Sequence, residues 1–248
     1  MEKTQILEML KYIISNKMNI EINKLFVNVG DFRYRNTLNY QQIIRQLESV
    51  EYYNAYSSIG GMNAKDERVE RGPFAPFVVV FYALFVILHR IPTPQEVWEY
   101  YSELYCTDLG NGYSCLANGF SFRTNDLYGR IARAYCSWCR ELTLLYALFD
   151  VLPFGFVPKY RLDKDMHGVD VVIYHKGHIF NIHSYLRRAK SIQYRNEKNS
   201  RYDVEAGVHM DVAADFGNTR LVGDISVHGF ANAENLLNDM LAYEAHHA

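Results

Sequence analysis

The chain has 248 residues, of which 49% are hydrophobic, 15% aromatic and 22% charged, and its 26 basic and 28 acidic residues leave a net charge of −2. That composition excludes disordered, collagen-like and disulfide-scaffold proteins. A near-neutral chain is also not built to coat nucleic acid over its whole surface, so charge has to be read locally.

Apolar residues Ile6, Leu7, Leu10, Ile13 and Ile14 repeat at helical spacing over residues 4–16. Asn39 is placed to cap a second helix through Val50, with Ile43, Ile44, Leu47 and Val50 on one face. Arg33-Tyr34-Arg35-Asn36 precedes it, and its Gln41, Gln42, Arg45 and Gln46 are side-chain types that read base edges or simply solvate a helix. Tyr34, Tyr40, Tyr52, Tyr53 and Tyr56 lie in polar stretches and suit stacking or a protein interface. The paired glycines and mixed charges of Ser57–Arg71 read as a loop.

Gly72–Leu88 carries no charge, but Pro73 and Pro76 confine the continuous apolar run to Phe77–Leu88. Twelve helical residues span roughly 18 Å, short of a ~30 Å hydrocarbon core, so a buried helix is expected and no membrane association. Thr93-Pro94-Gln95-Glu96 forms a helix start with a capping box. Cys106–Gly119, rich in Gly and Asn, reads as a loop, and a long helix runs from Thr124 or Asn125 to about Phe149.

Beyond Pro153 the pattern becomes β-rich. Residues 156–162, 169–175 and 179–185 read as strands, the last two joined by a Lys176-Gly177 turn. A basic helix over 186–201, strands at 208–213 and 221–227, and a helix over 232–246 complete the chain. The expected fold is α/β: a helical region over 1–120 and a mixed-sheet core flanked by helices over 121–248, the two able to form one globule.

Charge is segregated at the C-terminal end. Between Lys176 and Arg201 seven basic residues face one acid, and from Tyr202 onward one basic residue faces eight acids. On a helix Arg188, Arg195 and Lys198 share a face, and Arg187, Lys190, Tyr194 and Arg201 lie on the adjoining one. Arginines with a tyrosine suit phosphate contact and stacking, or ion pairing with the acidic segment that follows.

The hairpin itself carries Gly168-Val169-Asp170, an apolar strand, a glycine turn and a second strand. This order resembles the PD-(D/E)xK nuclease superfamily, which implies a restriction-endonuclease-like core. There an aspartate on one strand and a Glu-x-Lys on the next hold a divalent cation against a phosphodiester. Asp170 matches the first acid; Asn181 or His183 stands where the second acid belongs, and His183 or Tyr185 where the lysine belongs. Glu141, on the preceding helix, occupies a place from which some members supply a metal-binding glutamate. The resemblance therefore implies Mg²⁺ or Mn²⁺ at Asp170 and Glu141, with His183 and Lys190 completing the catalytic set and Arg187, Arg188, Tyr194, Arg195, Lys198 and Arg201 on nucleic acid.

Two other metal readings stay open. His167, His175, His178 and His183, near Asp163, Asp165 and Asp170, form a set that zinc or manganese accepts. Cys136-Ser137-Trp138-Cys139 is a Cys-x-x-Cys motif, but it sits mid-helix, and with Cys106 and Cys115 it exceeds zinc-knuckle spacing. The irregular cysteines, and Glu2 and Glu8 in an opening where a signal peptide needs a basic and then apolar stretch, point to a cytoplasmic protein. The expectation is a nucleic-acid-binding protein with a nuclease-like, metal-dependent core. The alternative is a non-catalytic interaction subunit or inhibitor that meets protein partners, or a second copy, through its basic helix and acidic segment.

Overall fold

The structure, a computed structural model, describes residues 1–16, 19–50, 65–186, 206–214, 219–222 and 225–247. In chain order these form α1 (Lys3–Ser15), β1 (Ile20–Asn23), β2 (Phe26–Val29), β3 (Phe32–Arg35), α2 (Tyr40–Glu48), α3 (Glu67–Glu70), α4 (Phe77–Leu88) and α5 (Pro94–Tyr105). There follow β4 (Cys106–Gly110), β5 (Tyr113–Leu116), β6 (Ser121–Arg123), α6 (Thr124–Val151), β7 (Val157–Arg161), α7 (Leu162–Asp165), β8 (Val171–His175) and β9 (His178–Leu186). The chain closes with β10 (Val208–Ala214), β11 (Thr219–Val222), β12 (Ile225–His228) and α8 (Phe230–His247). The molecule is mixed α/β, and its contacts group into two units: residues 1–18 with 46–138, and residues 19–45 with 139–248.

In the first unit α1, α4 and α5 pack together. Ten of the twelve residues of α4 are buried, which accounts for a helix apolar all round. It ends at His89, whose left-handed backbone (φ 54°) reverses the chain. Among the described residues no helix is long and apolar enough to cross a membrane. At the start of α5, Thr93 Oγ1 accepts the Glu96 N–H (3.1 Å) while Glu96 returns a carboxylate oxygen to the Thr93 N–H (2.8 Å). Buried Tyr135 and Tyr101 keep their hydroxyls satisfied on the carbonyls of Pro92 and Ala75.

Two expectations for the first 120 residues are corrected here. Cys106–Gly119 is no loop: it belongs to a three-stranded antiparallel sheet, β4-β5-β6, whose turns use the Gly and Asn residues that suggested irregular chain. Nor is the N-terminal region helical throughout, since residues 20–35 form β1, β2 and β3. Ile20-Glu21-Ile22-Asn23 and Phe26-Val27-Asn28-Val29 alternate with period two, and Ile20, Ile22, Val27 and Val29 are buried.

The second unit is built on a seven-stranded sheet of order β10-β9-β8-β7-β1-β2-β3. β7, β8 and β9 form an antiparallel meander, β1 adds to the outer side of β7, and β10 lies parallel to β9. A parallel neighbour requires a crossover, and residues 187–205, which contain the expected basic helix, lie outside the described residues. The β8–β9 turn is Lys176-Gly177, both at positive φ (45° and 84°), the conformation a two-residue hairpin demands. The single strand expected at 221–227 is instead the tight hairpin β11–β12.

Thr93→Ala should lower the unfolding free energy by about 1 kcal/mol, because one N-terminal N–H of α5 loses its acceptor. Urea denaturation followed by circular dichroism reads this directly.

Candidate metal centre

Three carboxylates converge in the second unit. Glu141 on α6, Asp165 at the end of α7 and Asp170 just before β8 place one oxygen each within 4.8 Å of one another. Glu141 is buried and Asp165 half-buried.

Local chemistry explains the convergence. After α7 the chain turns through Gly168 at φ 85°, where an L side chain is strained, and the Gly168 N–H donates to the Asp165 carbonyl (2.7 Å). The Val169 N–H donates to the Lys164 carbonyl (3.1 Å), so the loop is closed by its own backbone and returns Asp170 beside Asp165. The hydroxyl of Tyr160, buried in β7, donates to Asp165 Oδ2 (2.8 Å). The backbone N–H of Ser184 donates to Asp170 Oδ2 (2.5 Å). Each aspartate is thus aimed by a donor on a strand of the sheet.

A buried polar network lies behind this centre. Ser184 Oγ meets His228 Nε2 at 2.8 Å, the His228 N–H donates to Thr143 Oγ1 (3.2 Å), and the His228 carbonyl accepts from the Tyr40 hydroxyl (2.8 Å). His228 is fully buried, and its pKa is lowered to about 3 by desolvation and then by the charge of Arg140. Its neutral form is therefore the folded form. Tyr40, read in the sequence as a surface tyrosine, is in fact buried for this bond.

His183, on β9, packs against the same loop. Its Nδ1 lies 2.8 Å from the Gly168 carbonyl, which can only accept, so that nitrogen carries the proton. Its Nε2 lies 2.9 Å from His209 Nδ1, and the two rings stack at 5.2 Å and 9°.

The structure thus brings together Glu141 and Asp170, places His183 beside the loop that carries Asp170, and adds Asp165 as the third acid. Lys190, Arg187, Arg188, Tyr194, Arg195, Lys198 and Arg201 lie outside the described residues. The four-histidine set is not assembled: among the described residues the acidic trio is the group that could hold a metal. His175 instead pairs with Glu244 (2.5 Å) under a stacked Phe156 ring, and His178 packs on Phe180 and Tyr243. None of the four cysteines is in a disulfide and none joins a metal-ligating group among the described residues; burial pushes Cys106 up to about 11. Of the glutamines proposed to read bases, Gln42 accepts the Asn39 N–H in a helix cap and Gln46 accepts the Ile91 N–H. Both are committed to backbone.

Asp165, which the sequence offers only beside the histidine set, joins Glu141 and Asp170 instead. Its signal was Gly168, three residues on and two before Asp170, which turns the chain back on itself.

Comparison with protein-family models, with curated proteins and with solved structures finds no match to this chain.

The buried His228 sets an acid limb on stability. Between about pH 6.5 and 3 the unfolded chain binds a proton at this ring that the folded chain refuses, so stability falls as pH drops through that window. The slope contributed is up to about 1.4 kcal/mol per pH unit. Urea midpoints measured from pH 7 to 4 should fall less steeply in His228→Gln than in the parent protein.

Proposed function

We propose that this chain binds nucleic acid and hydrolyses phosphodiester bonds with a divalent cation held by Glu141, Asp165 and Asp170. The observation that carries the reading is the convergence of three carboxylate oxygens within 4.8 Å, one of them from a buried glutamate. Like charges this close repel, and a cation at their centre converts the repulsion into binding energy. An all-oxygen donor set suits a hard ion such as Mg²⁺ or Mn²⁺ rather than the thiolate or imidazole preferences of softer metals.

The element order supports the same reading. A helix (α6), a three-strand antiparallel meander (β7, β8, β9), a crossover and a strand parallel to β9 follow one another as in the restriction-endonuclease-like arrangement that the Gly168-Val169-Asp170 sequence resembles. Glu141 lies on α6 and Asp170 just before β8, next to the strand on which the resemblance would put the first acid. The departure lies on β9, which offers Asn181, His183 and Tyr185 in place of a carboxylate and a lysine. Asp165, at the end of α7, is the acid we assign in its place.

When bound, the cation would neutralise charge developing on the phosphate and raise the acidity of a coordinated water. Asp165 is held in place by Tyr160, and Asp170 by the Ser184 N–H, so both ligand positions are set before any cation arrives. We assign proton handling to His183, whose Nδ1 is fixed by Gly168 and whose Nε2 faces His209, with His209 exposed to solvent. The segment of Arg187, Arg188, Lys190, Tyr194, Arg195, Lys198 and Arg201 is assigned to phosphates and bases on composition.

Labelled DNA and RNA, single- and double-stranded, incubated with Mn²⁺, Mg²⁺ or EDTA test the proposal. Cleavage should need the cation, and Asp165→Asn and Asp170→Asn should each lose more than the roughly 10–100-fold typical of an outer-shell partner. In EDTA the same variants should melt at or above the parent temperature, because one repelling charge has gone; with Mn²⁺ only the parent should gain. Binding without cleavage by any variant or parent leaves a recognition module. Absence of binding at low salt returns the chain to the protein-interaction reading.

A further inference from the structure

The second unit contains a cavity of about 700 Å³ that the acidic centre does not use. Its walls come from the β1–β2 turn, from Arg33 on β3, from the end of α6 and from the segment leading into β7. A concavity of this size with a mostly apolar wall and a few polar groups has the form of a ligand site.

Three observations narrow the ligand. The wall carries three cations, Lys24, Arg33 and Lys159, and no acid. Lys159 is partly offset by Glu21, 2.8 Å from its Nζ, while Lys24 and Arg33 are exposed. The Arg33 guanidinium carbon lies 3.5 Å from the centre of the Phe26 ring, a cation–aromatic contact in the cavity wall. Phe154, in the Pro153-Phe154-Gly155 turn, has a relative exposure of 106%, so its whole ring stands in water. Standing in the wall of a cavity, an exposed ring is free to stack on a flat ligand.

We infer that this cavity holds a nucleotide unit of an unpaired nucleic-acid strand, the base against Phe154 and the Arg33–Phe26 pair and the phosphates on Lys24 and Arg33. The inference rests on the proposed nucleic-acid reading and specifies its substrate class. Aromatic side chains stack on bases only where those bases are outside a duplex. Cations contributed by two different strands and a turn match a ligand with repeated charges better than one with a single acidic head group. The helix links the two places: Leu148, in the cavity wall, lies seven residues beyond Glu141 on α6, roughly 10 Å along its axis. A strand seated in the cavity therefore lies within reach of the acidic centre, and the preferred substrate has an unpaired end or loop.

The test uses the full chain in EDTA, where binding is separated from cleavage. Fluorescence anisotropy measures the affinity of a short oligothymidine and of a blunt duplex for the parent, Phe154→Ala, Phe154→Trp and Lys24→Gln. Phe154→Ala should weaken the single strand roughly tenfold and leave the duplex within about twofold, while Phe154→Trp restores binding. Lys24→Gln should lower the salt slope of single-strand binding by roughly one phosphate contact. Since Phe154 is fully solvated, its replacement does not perturb the fold, and equal urea midpoints check this.

Unchanged single-strand affinity in Phe154→Ala, or equal loss for both substrates, overturns the inference. If the parent still cleaves with Mn²⁺ in that case, the proposed function stands and only the cavity assignment falls. Should the parent bind no oligonucleotide but take up a fatty-acid probe or an acidic peptide in a Phe154-dependent way, both are wrong.

Discussion

Holding three carboxylates within 4.8 Å is electrostatically costly, and much of the second unit's local design answers that cost. Each acid arrives on a different element, and each aspartate is fixed by a donor on the sheet: Asp165 by the Tyr160 hydroxyl, Asp170 by the Ser184 N–H. Gly168 makes the convergence possible, because its left-handed backbone lets the chain fold back within five residues. Ligand positions fixed in this way are what the proposed cation site requires.

The scaffold beneath is polar as well as apolar. Ser184 joins Asp170 to His228, and His228 is held by Thr143 on α6 while holding the hydroxyl of Tyr40. The helix that carries Glu141 is thus tied to the strand that aims Asp170 through a ring kept neutral by burial. Breaking any of these bonds would leave a further buried polar group unmatched. The strands β1–β3, which come from early in the chain, widen the sheet on the side of β7 and add Asn23–Phe26 and Arg33 to the cavity wall.

Much of the architecture was legible in the sequence wherever one period ran long enough. The apolar block Phe77–Leu88, the capping box at Thr93 and the hairpin around Lys176-Gly177 all emerge where the residue pattern places them. Residues 20–35 and 106–123 were not read as strands, since runs of three to five residues separated by Gly and Asn resemble loops until a neighbouring strand completes their hydrogen bonds. Glu141 and Asp170 were recognised as acids in positions of interest. Asp165 stands out in the sequence only beside the histidine set, because its place with Glu141 and Asp170 depends on the turn at Gly168 and on the Tyr160 hydroxyl, which three-dimensional contact alone brings to it. His228 left no signal at all: a histidine between a valine and a glycine reads as ordinary strand end, and only burial against Arg140 gives it consequence.

The most direct measurement is anomalous diffraction from crystals of the full chain soaked in Mn²⁺. The account predicts one strong peak with an oxygen of Glu141, Asp165 and Asp170 each about 2.0–2.6 Å away. An empty triad, or a peak bound elsewhere while the three acids stay apart from it, would contradict the central claim.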